Sequence, residues 1–295
     1  MRSIIIDKND EKIELKAKKL YTKKHTIPLK LIDILILTET IEITPKTILN
    51  ITYENIPILF LSKDSKKIAL TLPAISKNSE LKVLQYKALE HRLTIAKRLI
   101  YDKIITHQES LQEFDIDIST EDEIARLALC KNIDEVMGVE GAYAKKYFGH
   151  YFSIFERKLT KGYRSKNPPQ DPINATLSYI YTLTYNSITA KLYMRGFEPS
   201  ISYLHTPFRN HFALSSDLME PLRAKINNFV AKLFLNKILT TDDFTNKNGV
   251  YLKYNSKTRL WKELKPFMDK INKKLNKQII TLKQEILQNE PNIKK

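Results

Sequence analysis

Four side chains could do chemistry together: Glu140, His205, Asp217 and Glu220. Three carboxylates and one imidazole suit Mg²⁺ or Mn²⁺, whereas a structural zinc site would want thiolates. A hard cation held by carboxylates, on a protein that attracts phosphates, is the equipment for cutting or joining nucleic-acid backbones. Glu140 falls on one helical stripe with Val136, Tyr143, Tyr147 and Ile154, a face that should turn inward. A bare carboxylate there is costly unless it is paired or bound to a metal. Three positions therefore stay open for Glu140: a metal ligand, an internal ion pair with a lysine or arginine, or a surface site. Asp217 and Glu220 are three residues apart, so on a helix they share one side. The apolar stripe Leu214, Leu218, Leu222, Ile226, Phe229 and Leu233 points roughly the other way. Ser215 or Ser216 can cap that turn, and Pro221 is tolerable near its start. Without a metal, the two carboxylates read as first-turn residues that complement the helix dipole. His205 lies just past the helix that closes at Gly196, and His211 is its rival for the ligand role.

The segment 155–166 is basic and aromatic. Its Arg157, Lys158, Lys161, Tyr163, Arg164 and Lys166 can grip phosphates and stack a base, or simply form a solvated charged loop. Formal net charge over 295 residues is +16, from 49 basic and 33 acidic side chains, which favours a polyanionic partner. Only six glycines occur, and none forms a phosphate-cradling nucleotide loop. No serine-hydrolase elbow appears. Chemistry that needs no ATP is favoured. Cys130 is the only cysteine, which excludes a disulfide framework or cysteine zinc cluster within one chain and fits a reducing cytoplasm. It reads as a small buried apolar residue. No apolar run is long enough for a transmembrane helix, and the N-terminus does not read as a secretion signal.

The elements that must position these residues change character near residue 75. Short β-rich runs recur at 3–6, 12–15, 24–27, 32–37, 56–61 and 67–72, with turn clusters at Lys8-Asn9-Asp10 and Lys63-Asp64-Ser65. One helix interrupts them, capped by Thr44 with Pro45 in its first position. Pro73 and residues 76–79 mark a hinge. Beyond it, Leu84, Ala88, His91, Ala96, Leu99 and Ile104 predict one long helix toward Leu111. Ser119 or Thr120 caps the next. Asp171-Pro172 opens a helix with the stripe Ile173, Leu177, Tyr181, Thr184, Ile188 and Leu192, ended by Gly196. The segment 247–295 carries thirteen basic and four acidic residues, a surplus of nine, and predicts a basic helical tail or arm. The expectation is an α+β chain: a small N-terminal β-sheet domain, 1–75, and a larger all-helical catalytic domain, 76–295.

The order of motifs resembles a known family. Glu140-Gly141-Ala142, then Asn167-Pro-Pro-Gln-Asp-Pro-Ile-Asn-Ala-Thr-Leu-Ser-Tyr179, Gly196-Phe-Glu-Pro199, His205 and Asp217-Leu-Met-Glu-Pro-Leu-Arg223 are similar to the CRISPR-adaptation integrase, the first-numbered CRISPR-associated protein. Ile56-Pro-Ile-Leu-Phe-Leu-Ser-Lys63 agrees more loosely. The resemblance implies a divalent metal held by Glu140, His205 and Glu220, with Asp217 a further acidic residue of the catalytic set. It implies a homodimer, joined with a dimer of the small second-numbered CRISPR-associated protein. It also implies insertion of short DNA fragments into a repeat array, by attack of a 3′-hydroxyl on a repeat-edge phosphodiester. Arg157, Lys161, Tyr163, Arg164, Lys166 and Arg223 are the expected DNA contacts. After Glu220 the chain reads Pro-Leu-Arg-Ala instead of the aromatic-Arg-Pro often seen in the family, which leaves the role of Arg223 open. Two rivals share parts of this pattern: a non-catalytic DNA-binding scaffold, and a metal-dependent phosphoesterase acting on RNA or repair intermediates.

Overall fold

In the computed structural model the described residues are 2–6, 13–23, 26–62, 67–74, 78–206 and 211–288. Strands come first: β1 (Arg2–Ile6), β2 (Glu14–Lys16), β3 (Lys19–Tyr21), β4 (Thr26–Pro28), β5 (Ile32–Thr38), β6 (Ile58–Leu61) and β7 (Ile68–Thr71). They make a four-stranded sheet in the order β1-β5-β6-β7 and a three-stranded sheet β2-β3-β4. In the larger sheet β1, β5 and β6 run parallel and β7 antiparallel. β5 reads Ile-Asp-Ile-Leu-Ile-Leu-Thr because both its faces are covered. Side chains alternate across a strand. Ile34 and Ile36, with Leu59 and Leu61, join the core of the helical region, while Leu35 and Leu37 join Ile4, Ile6, Ile51 and Ile58 on the other side. One sheet thus anchors two cores. Between β5 and β6 lies α1 (Pro45–Tyr53), and Thr44 Oγ1 caps it by accepting from the Thr47 amide at 3.2 Å.

The helical region holds α2 (Ser79–Lys87), α3 (Arg92–Gln112), α4 (Glu121–Leu129), α5 (Ile133–Ser153), α6 (Pro172–Met194), α7 (Ala213–Met219), α8 (Arg223–Leu235) and α9 (Tyr254–Gln288). The single helix expected from Leu84 to Leu111 is two, broken by a 3₁₀ turn at Ala88–His91. The break lets Gln85 and Arg92 grip one loop from two sides. Gln85 Nε2 donates to the Glu198 and Ile201 carbonyls at 2.9 and 2.8 Å, and Arg92 Nε to the Tyr203 carbonyl at 2.6 Å. Asn132 caps α5 and Asp171 caps α6, each accepting a first-turn amide. Thr120 stands at the start of α4 but bonds Gln108 instead of the helix. α6 is buried nearly all round, polar residues such as Asn174, Thr184 and Thr189 included, and forms the centre of the helical core, ending at Gly196 with φ +84°. Cys130 is buried, as expected.

Two expectations for the C-terminal part fail. It is not all helical, because β8 (Phe244–Asn246) and β9 (Val250–Leu252) form a hairpin. Asn248 and Gly249 supply its positive-φ turn, a signal overlooked beside the lysines. Nor is 254–288 an arm. Leu260, Leu264, Met268, Ile271, Leu275, Ile279, Leu282 and Ile286 are all buried at helical spacing, so α9 is a core helix whose lysines, the buried Lys257 apart, occupy its outer face. Arg98 of α3 clamps it with a two-pronged bond to Glu285, at 2.5 and 2.9 Å. The turn clusters at 8–10 and 63–65, His25, part of the 76–79 hinge and the final residues 289–295 lie outside the described residues.

Candidate active site

α3, α5 and the 3₁₀ turn Glu220–Leu222 between α7 and α8 meet at the floor of a cleft. α5 supplies Glu140, the 3₁₀ turn supplies Glu220, and α3 supplies a residue that sequence reasoning missed, Lys103. The Lys103 ammonium donates to Glu140 Oε1 and, at 2.6 Å, to Glu220 Oε2. Arg223 Nε donates to the same Glu220 oxygen at 2.9 Å. His205 Nε2 stands 3.9 Å from the other oxygen, Glu220 Oε1. Of the three alternatives for Glu140, the internal ion pair is therefore present. It does not exclude a metal, since a lysine here faces the same oxygens a cation would use. Burial alone would raise the Glu220 carboxyl, but Arg223, Lys103 and His205 hold it far below the usual carboxylate range.

Asp217 stands behind His205. It is fully buried, and its Oδ2 accepts the amides of Tyr203 and Leu204 at 2.7 and 3.0 Å. Its Oδ1 accepts the His205 amide at 3.0 Å and faces His205 Nδ1 at 2.8 Å. One carboxylate thus folds the 203–205 turn and fixes the imidazole within it. With Nδ1–H donated to Asp217, Nε2 is left to face Glu220. Burial pulls the His205 pKa down, yet Asp217 raises it overall. As expected from their spacing, Asp217 and Glu220 turn to one neighbour, His205, meeting its two ring nitrogens. That side is not a polar face set against an apolar stripe, because α7 and the 3₁₀ turn are buried all round. Ser215 and Ser216 are not caps, since α7 begins at Ala213. Ser215 meets Thr189 at 2.8 Å, and Ser216 meets His211 Nε2 at 3.0 Å. His211 stacks on Tyr185 and, unlike His205, does not line the cleft.

The cleft encloses about 690 Å³. Its walls carry Lys145, Tyr163, Arg164, Lys166, Tyr181 and Arg223. Tyr181 was legible only as a core position of α6. In fact its ring lies under two guanidiniums, Arg223 at 4.7 Å and Arg164 at 5.6 Å from the centroid. Its hydroxyl donates to Asn227 Oδ1 at 2.5 Å, and Asn227 Nδ2 donates to Tyr147 at 3.0 Å. Arg164 is further held by Asn174 and Ser178, at 2.8 and 3.0 Å. The sequence proposal for 155–166 is thus split: Tyr163, Arg164 and Lys166 line the cleft, whereas Arg157 and Lys161 are exposed and do not. Lys103 did leave a signal. It continues the apolar stripe through Ala96 and Leu99, so a lysine there had to find buried anions.

Among the described residues, no three of His, Cys, Asp and Glu stand close enough to hold a metal between them. The Lys103 nitrogen occupies the space between the two carboxylates. The donor set itself fits a hard divalent cation: carboxylate oxygens from Glu140 and Glu220 and a ring nitrogen from His205, with no thiolate.

Acidic side chains and an imidazole thus lie at the bottom of a basic, aromatic cleft on an α+β fold, a surface suited to a polyanionic ligand. The chain belongs to the family described as CRISPR associated protein Cas1, whose model matches residues 2–265. Among its relatives, the CRISPR-associated endonuclease Cas1 1 of Thermodesulfovibrio yellowstonii is 28% identical over 284 residues, spanning 88% of this chain and 89% of the relative. The Cas1 protein of Thermotoga maritima shares the fold with TM-score 0.86 and 16% identity, over 100% of this chain and 99% of its own. A casposase bound to its integration product superposes with TM-score 0.82 and 21% identity, over 99% of this chain and 92% of the casposase chain. The α+β expectation stands, with strands first and helices after. No helix among the described residues is long and apolar enough to cross a membrane.

Proposed function

We propose that this protein is the DNA endonuclease and integrase of CRISPR adaptation, inserting short DNA fragments into a repeat array. One observation carries the reading: Glu140, His205 and Glu220, far apart in sequence, converge at the floor of a cleft walled by Lys145, Arg164, Lys166 and Arg223. Glu140, His205 and Glu220 would hold Mg²⁺ or Mn²⁺. Such a cation supplies charge neutralisation at the transferring phosphoryl group and a lower pKa for the attacking hydroxyl.

The chain's own residues do the rest. Lys166 and Lys145 draw the DNA backbone into the cleft, and Arg164 and Arg223 offer guanidinium N–H groups to phosphate oxygens. The Tyr181 ring holds both guanidiniums in place, so little side-chain entropy is lost when phosphate binds. Tyr163, largely exposed at the rim, offers a ring on which an unpaired base can stack. Asp217 keeps His205 oriented toward Glu220. A 3′-hydroxyl placed in line with the scissile phosphate then displaces the existing 3′-oxygen, and one phosphodiester replaces another. No nucleotide hydrolysis is required, which agrees with the absence of a phosphate-cradling loop. Water in place of the hydroxyl gives cleavage. The working unit is a homodimer, joined to Cas2, the subunit named with Cas1 in the Cas6-RT-Cas1–Cas2 complex.

The test is cleavage of branched DNA with Mn²⁺ or Mg²⁺. Activity should vanish in EDTA and in Glu140→Ala or Glu220→Ala, with DNA binding largely retained. Binding without any metal-dependent cleavage would point to the scaffold alternative instead.

A further inference from the structure

Lys103 is the one buried charge in the cleft floor to which the proposed chemistry gives no task. It projects from the apolar face of α3, among Leu99, Ile100 and Ile104, with only 4% of its side chain exposed. A lysine is not placed there without reason, because an ammonium so buried must be matched by anions. The anions are Glu140 and Glu220, both bonded to the same nitrogen. Left alone, two carboxylates that close repel, and one would take up a proton or swing away. The ammonium stands between the oxygens that a divalent cation would need. Both cannot hold the same lone pairs at once.

We propose that Lys103 is a positioning residue that keeps the Glu140 and Glu220 carboxylates together before metal arrives, and that competes with the divalent cation for them. The inference rests on the reading that Glu140, His205 and Glu220 take Mg²⁺ or Mn²⁺. Lys103 lines the cleft, and its flexible four-carbon stem lets the ammonium turn off the carboxylates toward the cleft when the cation arrives. The site is thereby pre-shaped without metal, at the expense of affinity. A single positive charge yields to a double one when the cation concentration is high enough.

The experiment is a titration of the full-length protein with Mn²⁺, with free metal followed by electron paramagnetic resonance. Thermal melts in EDTA and in Mn²⁺ accompany it. Lys103→Met removes the charge while keeping the stem. It should melt lower than the wild type in EDTA, bind Mn²⁺ about tenfold more tightly, within the usual range for two coupled ligands, and gain more melting temperature from Mn²⁺. Lys103→Arg, which keeps a cation, should stay near the wild-type affinity. Should the methionine protein fail to fold, Lys103→Gln carries the same expectation. A lysine that merely supports the fold would lower both melts equally and leave the Mn²⁺ affinity unchanged, and that result overturns the proposal. Absence of Mn²⁺ uptake by the wild type would instead sink the metal assignment on which it rests.

Discussion

His107 shows how much one residue's surroundings decide. It lies one turn beyond Lys103 on α3, is 1% exposed, and stacks on Tyr147 at 3.9 Å between centroids. Neither ring nitrogen has a partner among the described residues. Burial, reinforced by the Lys103 charge, pushes its pKa well below the ordinary value of 6.5. Below pH 6.5 the unfolded chain therefore takes up a proton that the folded one refuses. The stabilising contribution is complete above that pH and is lost as the pH falls, by about 1.4 kcal/mol per unit until the folded pKa is reached. His107→Phe should flatten that part of the profile. Urea unfolding from pH 7.5 to 5.0 reads it, and an unchanged slope in the variant would refute the assignment. At this scale the sequence was informative about residue types and poor about partners. Glu140 stood out as a carboxylate on an apolar stripe and His205 as a histidine just past a helix end, whereas Glu220 read as a first-turn acid and entered the set through the family resemblance. Lys103 was overlooked although it interrupts an apolar stripe, and Asn227 left no mark in local spacing, because its partners Tyr181 and Tyr147 lie on other elements.

The elements tell a similar story with α9. Its lysines outnumber its acidic residues, so by composition it passes for a DNA-binding arm. Its apolar residues recur every three or four positions, and that period is what the fold obeys. Leu264 and Leu275 are fully buried against the helical core. Leu264→Ala or Leu275→Ala should each destabilise the protein by about 2–5 kcal/mol, measured by urea denaturation. An arm free of the core would tolerate either change with no shift in midpoint. The β-runs of the N-terminal part were readable from β-branched residues and turn clusters. The short hairpin β8–β9 was not, because three-residue strands carry too little pattern to stand out from a basic segment. The 3₁₀ break between α2 and α3 was equally hidden, since the apolar stripe runs through it and only the loop it serves explains it.

For the molecule as a whole, +16 of formal charge makes association with DNA depend steeply on salt. That electrostatic pull does not by itself choose a site. The proposed site is the cleft, where Arg164, Lys166 and Arg223 gather around Glu140 and Glu220. Lys166→Ala should weaken binding to all sequences alike and reduce the slope of log affinity against log salt by about one phosphate contact. Fluorescence polarisation between low and moderate salt measures it. An unchanged slope would place the DNA backbone elsewhere.

The central claim is that Glu140, His205 and Glu220 act together on a phosphodiester bond, and half-site integration of a labelled duplex into a supercoiled plasmid, with Mn²⁺ and Cas2 present, tests it most directly. The account predicts joined product from the wild type, none in EDTA, and none from folded Glu140→Ala, His205→Ala or Glu220→Ala proteins that still bind the duplex. Full strand transfer by a correctly folded His205→Ala or Glu220→Ala protein would contradict it.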